Sequence, residues 1–165
     1  LAAAEGRTLR FGLRAHTITR DTSADAWATA QRFLEQMDPA EVAASQAKFA
    51  RTESTAQRRM AELHGGVLHG DARKLEVHPG LWPGVGLLRG GAGTALVGSH
   101  EEVADLMAEY HAVGVEEFVF SGYPHLEEAY WFGEGVRPVL ARRGLLNEVA
   151  AAPAGPIAGA PAPAS

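Results

Sequence analysis

The chain has no cysteine among its 165 residues, which excludes disulfide bonds, thiolate zinc sites and thiol nucleophiles. It has no excess of basic residues, since its formal net charge is −5, and no basic patch carries interleaved aromatic residues; both features argue against binding to nucleic acid. It also lacks an apolar run of the roughly 18 residues that a membrane-spanning helix needs. These absences favour a globular, cytoplasmic protein without nucleic-acid or membrane partners.

The first residues have neither the charged region nor the long apolar region of a signal peptide. Residues 1–6 instead look like the last turn of a helix, with Gly6 as its C-terminal stop. A chain that opens at the end of a helix is expected to be part of a longer protein.

The stretch 9–18 carries the strongest functional signal. With a period of two, an apolar row alternates with a row that contains Arg10, Gly12, Arg14, His16 and Ile18. A glycine in mid-strand predicts that something packs closely against the backbone. Arg14 and His16 then lie on one face, late in the strand, aimed at a site. The alternative is an edge strand whose polar face meets water.

Helix and strand signals alternate along the rest of the chain. We predict helices that begin at the Thr22 cap and the Ser99–Glu102 capping box, strands at 94–97 and 115–121, and helices over about 40–63 and from His125 toward Leu140. This order is typical of a parallel βα architecture, in which ligands bind beyond the C-terminal ends of the strands. The pair Arg14 and His16 and the segment Ser121–Tyr123 both meet this rule.

Two segments depart from this pattern. Residues 40–95 are predicted to form an insertion region and a mobile lid, because more than half of the chain's 19 glycines fall between 65 and 98. Residues 149–165 form an Ala/Pro/Gly tail with almost nothing to bury, which we predict to be disordered. The histidines show no helical ligand pairing, so we predict no metal site.

Four blocks of sequence resemble one branch of a known family. They are RFGLRAHTI (10–18), ARTESTAQRRMAELHG (50–65), LWPGVGLLRGGAGTALVG (81–98) and FVFSGYPHLEEAY (118–130). Together they resemble the alkanesulfonate monooxygenase branch of the bacterial luciferase-like, flavin-dependent family. The resemblance implies an α/β fold in which residues 1–148 form the C-terminal portion of a (β/α)8 TIM barrel, from about the sixth strand to the final helix.

The resemblance also implies a chemistry. Reduced FMN, delivered by a separate NAD(P)H-dependent FMN reductase, and O2 are used to break the carbon–sulfur bond of an alkanesulfonate. The products are an aldehyde and sulfite, and cells obtain sulfur in this way. Relatives are homo-oligomers. A sulfonate is a permanent anion, for which arginine supplies a fixed charge and a fork of donors.

By position in these motifs, the resemblance implies two sets of site residues. The catalytic set is Arg14, His16, Arg89 and Tyr123, and the cofactor contacts are Ser121, Gly122, Tyr123 and His125. Arg14 is expected to stabilise charge and donate a proton, and His16 to act as an acid, a base or a hydrogen-bonding group. The lid brings Arg89 to the sulfonate, and Tyr123 donates a hydrogen bond. The structural alternatives are an ion-pair arginine, a satisfied core histidine, a solvated arginine and a tethered core tyrosine.

Two other hypotheses remain open. A related flavin monooxygenase that acts on methanesulfonate, a sulfone or an alkane would retain most of these residues, although Arg14 with Arg89 favours an anionic substrate. Alternatively, the product is a non-catalytic, truncated fragment, because the resemblance places the first half of the barrel outside this chain. A partial barrel leaves an open sheet edge, so the chain alone is expected to fold poorly or to aggregate.

Overall fold

A computed structural model describes residues 2–146 of the chain. Its strands are β1 (Phe11–Arg20), β2 (Leu81–Trp82), β3 (Ala95–Ser99) and β4 (Val115–Ser121). Its α-helices are α1 (Ser23–Glu35), α2 (Pro39–Phe49), α3 (Thr55–His64), α4 (His100–Ala112), α5 (His125–Tyr130) and α6 (Arg137–Arg142). Turns of 3₁₀-helix occur at Ala2–Glu5, Ala72–Leu75 and Gly84–Leu87, and a π-helical segment at Trp131–Val136. The tail predicted to be disordered lies outside the described residues.

The four strands form one mixed, open sheet in the order β2-β3-β1-β4. β1 pairs in parallel with both β3 and β4, and β2 pairs antiparallel with β3. In a complete (β/α)8 barrel, eight parallel strands pair with one another in chain order. Here β1 lies between β3 and β4, so the pairing does not follow chain order. In this register His16 is level with Ala95, where β3 begins, and with Ser121, where β4 ends. The α/β class is therefore as predicted, and His16 lies at the junction of three strands.

Helices cover both faces of the sheet. On one face, α1 and the segment that contains β2 form a core around Trp27, Leu34, Trp82 and Leu87. On the other face, a second core consists of residues from β3, α4, the π-helical segment and α6: Leu96, Val103, Ala104, Leu106, Met107, Val136, Val139 and Leu140. Within residues 2–146, no helix is both long enough and apolar enough to cross a bilayer.

The burial of β1 differs from the alternating rows that the sequence predicts. Residues 15–19 are all buried, because this part of the strand has a neighbour on each side and helices on both faces. Leu9 and Phe11, by contrast, are 51% and 62% exposed, since β3 begins only opposite His16. The close approach predicted at Gly12 is not confirmed: a Cβ there would lie 3.6 Å from the Glu117 Cβ, which is an ordinary contact.

The helix starts predicted from side-chain caps are confirmed. The Thr22 hydroxyl accepts a hydrogen bond from the Asp25 amide at 3.1 Å, and both bonds of the Ser99–Glu102 capping box are present. The single helix predicted over 40–63 is wrong. It is two helices, because the Ser54 side chain accepts from the Gln57 amide and starts α3 anew. The last predicted helix begins at His125 but has a π-helical segment where Gly133 and Gly135 fall.

Candidate functional site

His16 is the centre of the candidate site. It is 3% exposed, its Nε2 lies 3.0 Å from the carbonyl oxygen of Ala92, and its Nδ1 lies 3.0 Å from the hydroxyl of Ser121. A carbonyl oxygen only accepts, so Nε2 carries the ring proton and donates to Ala92. In the neutral ring Nδ1 is then the acceptor, and the Ser121 hydroxyl donates to it. Both nitrogens of the neutral Nε2–H tautomer are thus bonded, and the lowered pKa of the imidazole favours this form.

The surroundings of His16 lower the pKa of its imidazole. Burial is the largest cause, because it removes water from the charged form. The hydrogen bond to the Ala92 carbonyl acts the other way and raises the pKa. The nearby charges of Arg89, Arg14 and His125 each lower it further. The pKa of His64 in α3 is also lowered, again mainly by burial.

These two histidines predict how stability depends on pH. In the unfolded chain both take up a proton near their ordinary pKa of 6.5, whereas in the folded chain they do so only at lower pH. Their stabilising contribution is therefore complete above pH 6.5 and is lost as the pH falls toward the lowered folded values. We expect the urea midpoint to fall over this window, and to fall less in a His16→Gln, His64→Gln double variant. An equally steep fall in the double variant would contradict this assignment.

Tyr123 connects the other candidate residues to His16. Its ring stacks on the imidazole of His16, with centroids 5.5 Å apart and planes 25° apart, and on Phe33 of α1 at 6.2 Å. The ring of His125 meets it edge-on at 4.8 Å. The guanidinium carbon of Arg89 lies 5.7 Å from its centroid, within the range of a cation–π contact. The structure therefore brings together residues that are far apart in sequence.

Arg89 belongs to a glycine-rich segment, residues 84–93, that two glutamines hold in place. The side-chain amide of Gln46 donates to the carbonyl of Leu87 at 2.7 Å, and the Gln57 carbonyl oxygen accepts from the backbone amide of Gly91 at 3.2 Å. Gly91 has a φ of +88°, which favours glycine. The sequence pattern gives no signal for these glutamines, because the helices that carry them have few apolar residues. The mobility of this segment stays a prediction.

Arg14 lies on the same row of β1 as His16 and is exposed. Among residues 2–146, neither Arg14 nor Arg89 forms an ion pair with a carboxylate. Both charges are therefore available to an anionic ligand. Over the same range, no group of three or more His, Asp or Glu side chains has an arrangement that could hold a metal ion.

The packing of α5 against β4 leaves no room for a side chain at Gly122. A Cβ at this position would lie 2.3 Å from the Cβ of Glu128, because α5 passes directly over the end of β4. A cavity of about 410 Å³ lies beside it, with Ser121, Gly122 and His125 in its lining. The contact of these three residues with a cofactor stays a prediction.

A buried ion pair next to the site was missed by sequence reasoning. Glu128, in the first turn of α5, accepts two hydrogen bonds from the Arg20 guanidinium, at 2.6 and 3.1 Å. The two side chains are 1% and 14% exposed, and Arg20 lies over the Trp131 ring at 4.9 Å. The spacing of four residues between Glu128 and the partly buried Phe132 is a signal that could have placed this carboxylate on the inner face of the helix.

Comparison with known proteins identifies the family. The model of the luciferase-like monooxygenase family matches residues 1–117, which include β1, β3 and α4. The chain belongs to the luciferase-like monooxygenase family. The fold is also similar to that of a riboflavin lyase, solved by crystallography with a modified FMN and its substrate riboflavin. The TM-score is 0.59 at 24% sequence identity, over 88% of this chain and 34% of that one. This luciferase-like chain therefore spans about a third of the length of that neighbour.

Proposed function

We propose that the protein that contains this chain is a reduced-FMN-dependent monooxygenase that converts alkanesulfonates to an aldehyde and sulfite. The observation that carries the proposal is the convergence of two arginines on one neutral, buried imidazole. The charges of Arg14 and Arg89 both act on His16, and neither arginine has a carboxylate partner among residues 2–146. Membership of the luciferase-like monooxygenase family supports the redox part of the proposal.

The positive charges of Arg14 and Arg89 suit a sulfonate ligand. This group keeps its negative charge at every pH at which proteins are folded, and arginine keeps its positive charge over the same range. Three sulfonate oxygens accept hydrogen bonds from a guanidinium fork, which fixes the direction of the carbon–sulfur bond. An alkane or a sulfone has no net charge and would leave both arginines without a counterion.

The aromatic residues fit one side of a flavin site. Tyr123 forms a stack with His16 and Phe33 and would hold FMN by stacking, and Ser121, Gly122 and His125 would add short polar contacts. Reduced FMN supplies the electrons with which O2 is reduced. A separate NAD(P)H-dependent FMN reductase would supply it, and the assembly would be a homo-oligomer. The FMN in the structural neighbour is consistent with this assignment.

The residues of this chain have distinct roles in the proposed reaction. Arg14 and Arg89 bind the sulfonate and stabilise charge that develops on its oxygens. The segment that carries Arg89 covers the ligand and excludes water. His16 holds or moves a proton at Nδ1, and the Tyr123 hydroxyl donates a hydrogen bond to the bound reactant.

The proposal is tested by sulfite release. We expect the complete protein, supplied with reduced FMN, O2 and a series of alkanesulfonates, to release sulfite and the matching aldehyde in equal amounts. Methanesulfonate, a sulfone and an alkane serve as comparison substrates. Turnover of these alone would favour the related monooxygenases, and no turnover of any of them would refute a role in this chemistry.

The fragment hypothesis has its own test in the genomic DNA upstream of Leu1. An in-frame continuation that encodes early barrel strands supports the enzyme. A stop codon or unrelated sequence there would overturn the enzymatic proposal for this chain.

A further inference from the structure

We infer that Ser121 is a proton relay: a proton enters and leaves Nδ1 of His16 through the Ser121 hydroxyl. The inference rests on the proposed function to the extent that a bound reactant is the partner of the relay. Family resemblance points to Ser121 only as a cofactor contact, whereas the bonding of His16 gives the hydroxyl a different task.

The first observation is that Nε2 of His16 is not available. It donates to the Ala92 carbonyl at 3.0 Å, and this carbonyl belongs to the same glycine-rich segment that carries Arg89. The ring face is stacked on Tyr123, and the residue as a whole is 3% exposed. Proton exchange at Nε2 would require the segment to leave. While the segment is in place, Nδ1 is the nitrogen that can exchange a proton.

The second observation is that the hydrogen-bond partner of Nδ1 is a hydroxyl group. The Ser121 Oγ lies 3.0 Å away and must be the donor, as the tautomer requires. Ser121 is the last residue of β4 and is partly exposed, and its register opposite His16 places its side chain on the same face of the sheet. A hydroxyl donates one hydrogen bond and accepts others at the same time. Ser121 therefore connects a buried imidazole to the face of the sheet on which the exposed Arg14 also lies.

The third observation concerns the charges that face His16 from each neighbouring element. Arg14 of β1, Arg89 of the glycine-rich segment and His125 of α5 all disfavour the imidazolium. A proton that reaches Nδ1 is therefore returned readily. Such a group suits transient transfer better than storage of a proton.

The step balances without a redox partner. A reactant X–H bond breaks and its proton goes to the Ser121 Oγ, while the Ser121 O–H proton moves to Nδ1. Ser121 is unchanged, His16 gains one positive charge, and the reactant gains one negative charge. The reverse transfer restores neutral His16.

The relay is tested by NMR on protein with ¹⁵N-labelled histidine, which needs no substrate. His16 is identified by the signal that His16→Gln removes. At a pH above the pKa of His16, we expect an unprotonated Nδ1 and a protonated Nε2 in the wild type. In Ser121→Ala, the pKa of His16 should rise, because the neutral form loses a donor. Near this pKa, where Nδ1 is protonated part of the time, exchange of the Nδ1 proton with solvent should slow by about tenfold, because one hydrogen-bonded path is lost. Ser121→Thr should restore both, and Ser45→Ala, the same change in α2, should alter neither.

Two outcomes would overturn the relay: a protonated Nδ1 in the wild type at a pH above the pKa of His16, or an exchange rate that Ser121→Ala leaves unchanged. Catalysis gives an independent measurement. Ser121→Ala should lower kcat by about 10²-fold and shift its pH profile, with recovery in Ser121→Thr. A protein that releases no sulfite but shows the Ser121-dependent exchange refutes the proposed function alone. Normal sulfite release with Ser121-independent exchange refutes the relay alone.

Discussion

Replacement of His16 by alanine in the complete protein is expected to lower the rate of sulfite formation by about 10²–10⁴-fold, the usual contribution of a general acid or base. The imidazole is neutral, and Ser121 and the Ala92 carbonyl fix its orientation. Alanine removes the proton acceptor and the stacking partner of Tyr123 together. Arg14→Ala is expected to lower sulfite formation as well, because it removes one of two charges assigned to the sulfonate. Reduced flavin should still bind to both variants.

The measurement is steady-state sulfite release together with titration of reduced flavin. His69→Ala is a matched control, since His69 lies in the loop between α3 and β2, away from Tyr123 and Ser121. It should leave both quantities unchanged. Unchanged turnover in both His16→Ala and Arg14→Ala would refute the roles assigned to these residues.

Removal of the Glu128 carboxylate is expected to have the second large effect, on stability. A buried ion pair that loses one partner costs about 3–5 kcal/mol, because the remaining charge has no counterion. The loss of unfolding free energy in Glu128→Ala should be near the lower end of this range, at about 3 kcal/mol. The reason is that Arg20 is 14% exposed and also donates a hydrogen bond to the carbonyl of Thr19 at 2.6 Å. Glu128→Gln keeps the volume and one acceptor oxygen, so its free energy of unfolding should fall between those of the wild type and Glu128→Ala.

Glu127→Ala is the matched control, because Glu127 is the neighbouring residue of α5 and is exposed. It should change the free energy of unfolding by less than about 0.5 kcal/mol, as surface substitutions do. The values come from urea unfolding followed by circular dichroism. Equal losses in Glu127→Ala and Glu128→Ala would contradict a specific contribution from the pair with Arg20.

Local chemistry explains why some elements could be predicted from the sequence. A cap requires only a hydroxyl and an amide three residues apart, so Thr22 and Ser99 specify the starts of α1 and α4 without help from the rest of the fold. The strand Val115–Ser121 was predicted with the bounds that the structure shows. The break in the helix predicted over 40–63 also has a local cause, because the Ser54 side chain caps α3.

Features that depend on tertiary structure could not be predicted in this way. The exposure of Phe11 follows from the point at which β3 begins to pair with β1, and this register is not encoded in β1. The pairing of Arg20 with Glu128 joins residues that are 108 positions apart. The same holds for the site: sequence placed His16 and Ser121 at strand ends, but only the fold shows that their side chains share a hydrogen bond.

The central claim is that the face of the sheet with His16, Tyr123, Arg14 and Arg89 binds the reactants. A crystal structure of the complete protein with FMN and an alkanesulfonate tests it most directly. We predict that the sulfonate oxygens accept hydrogen bonds from the Arg14 or Arg89 guanidinium and that the flavin lies beside Tyr123. A sulfonate and a flavin bound away from these side chains would contradict the account.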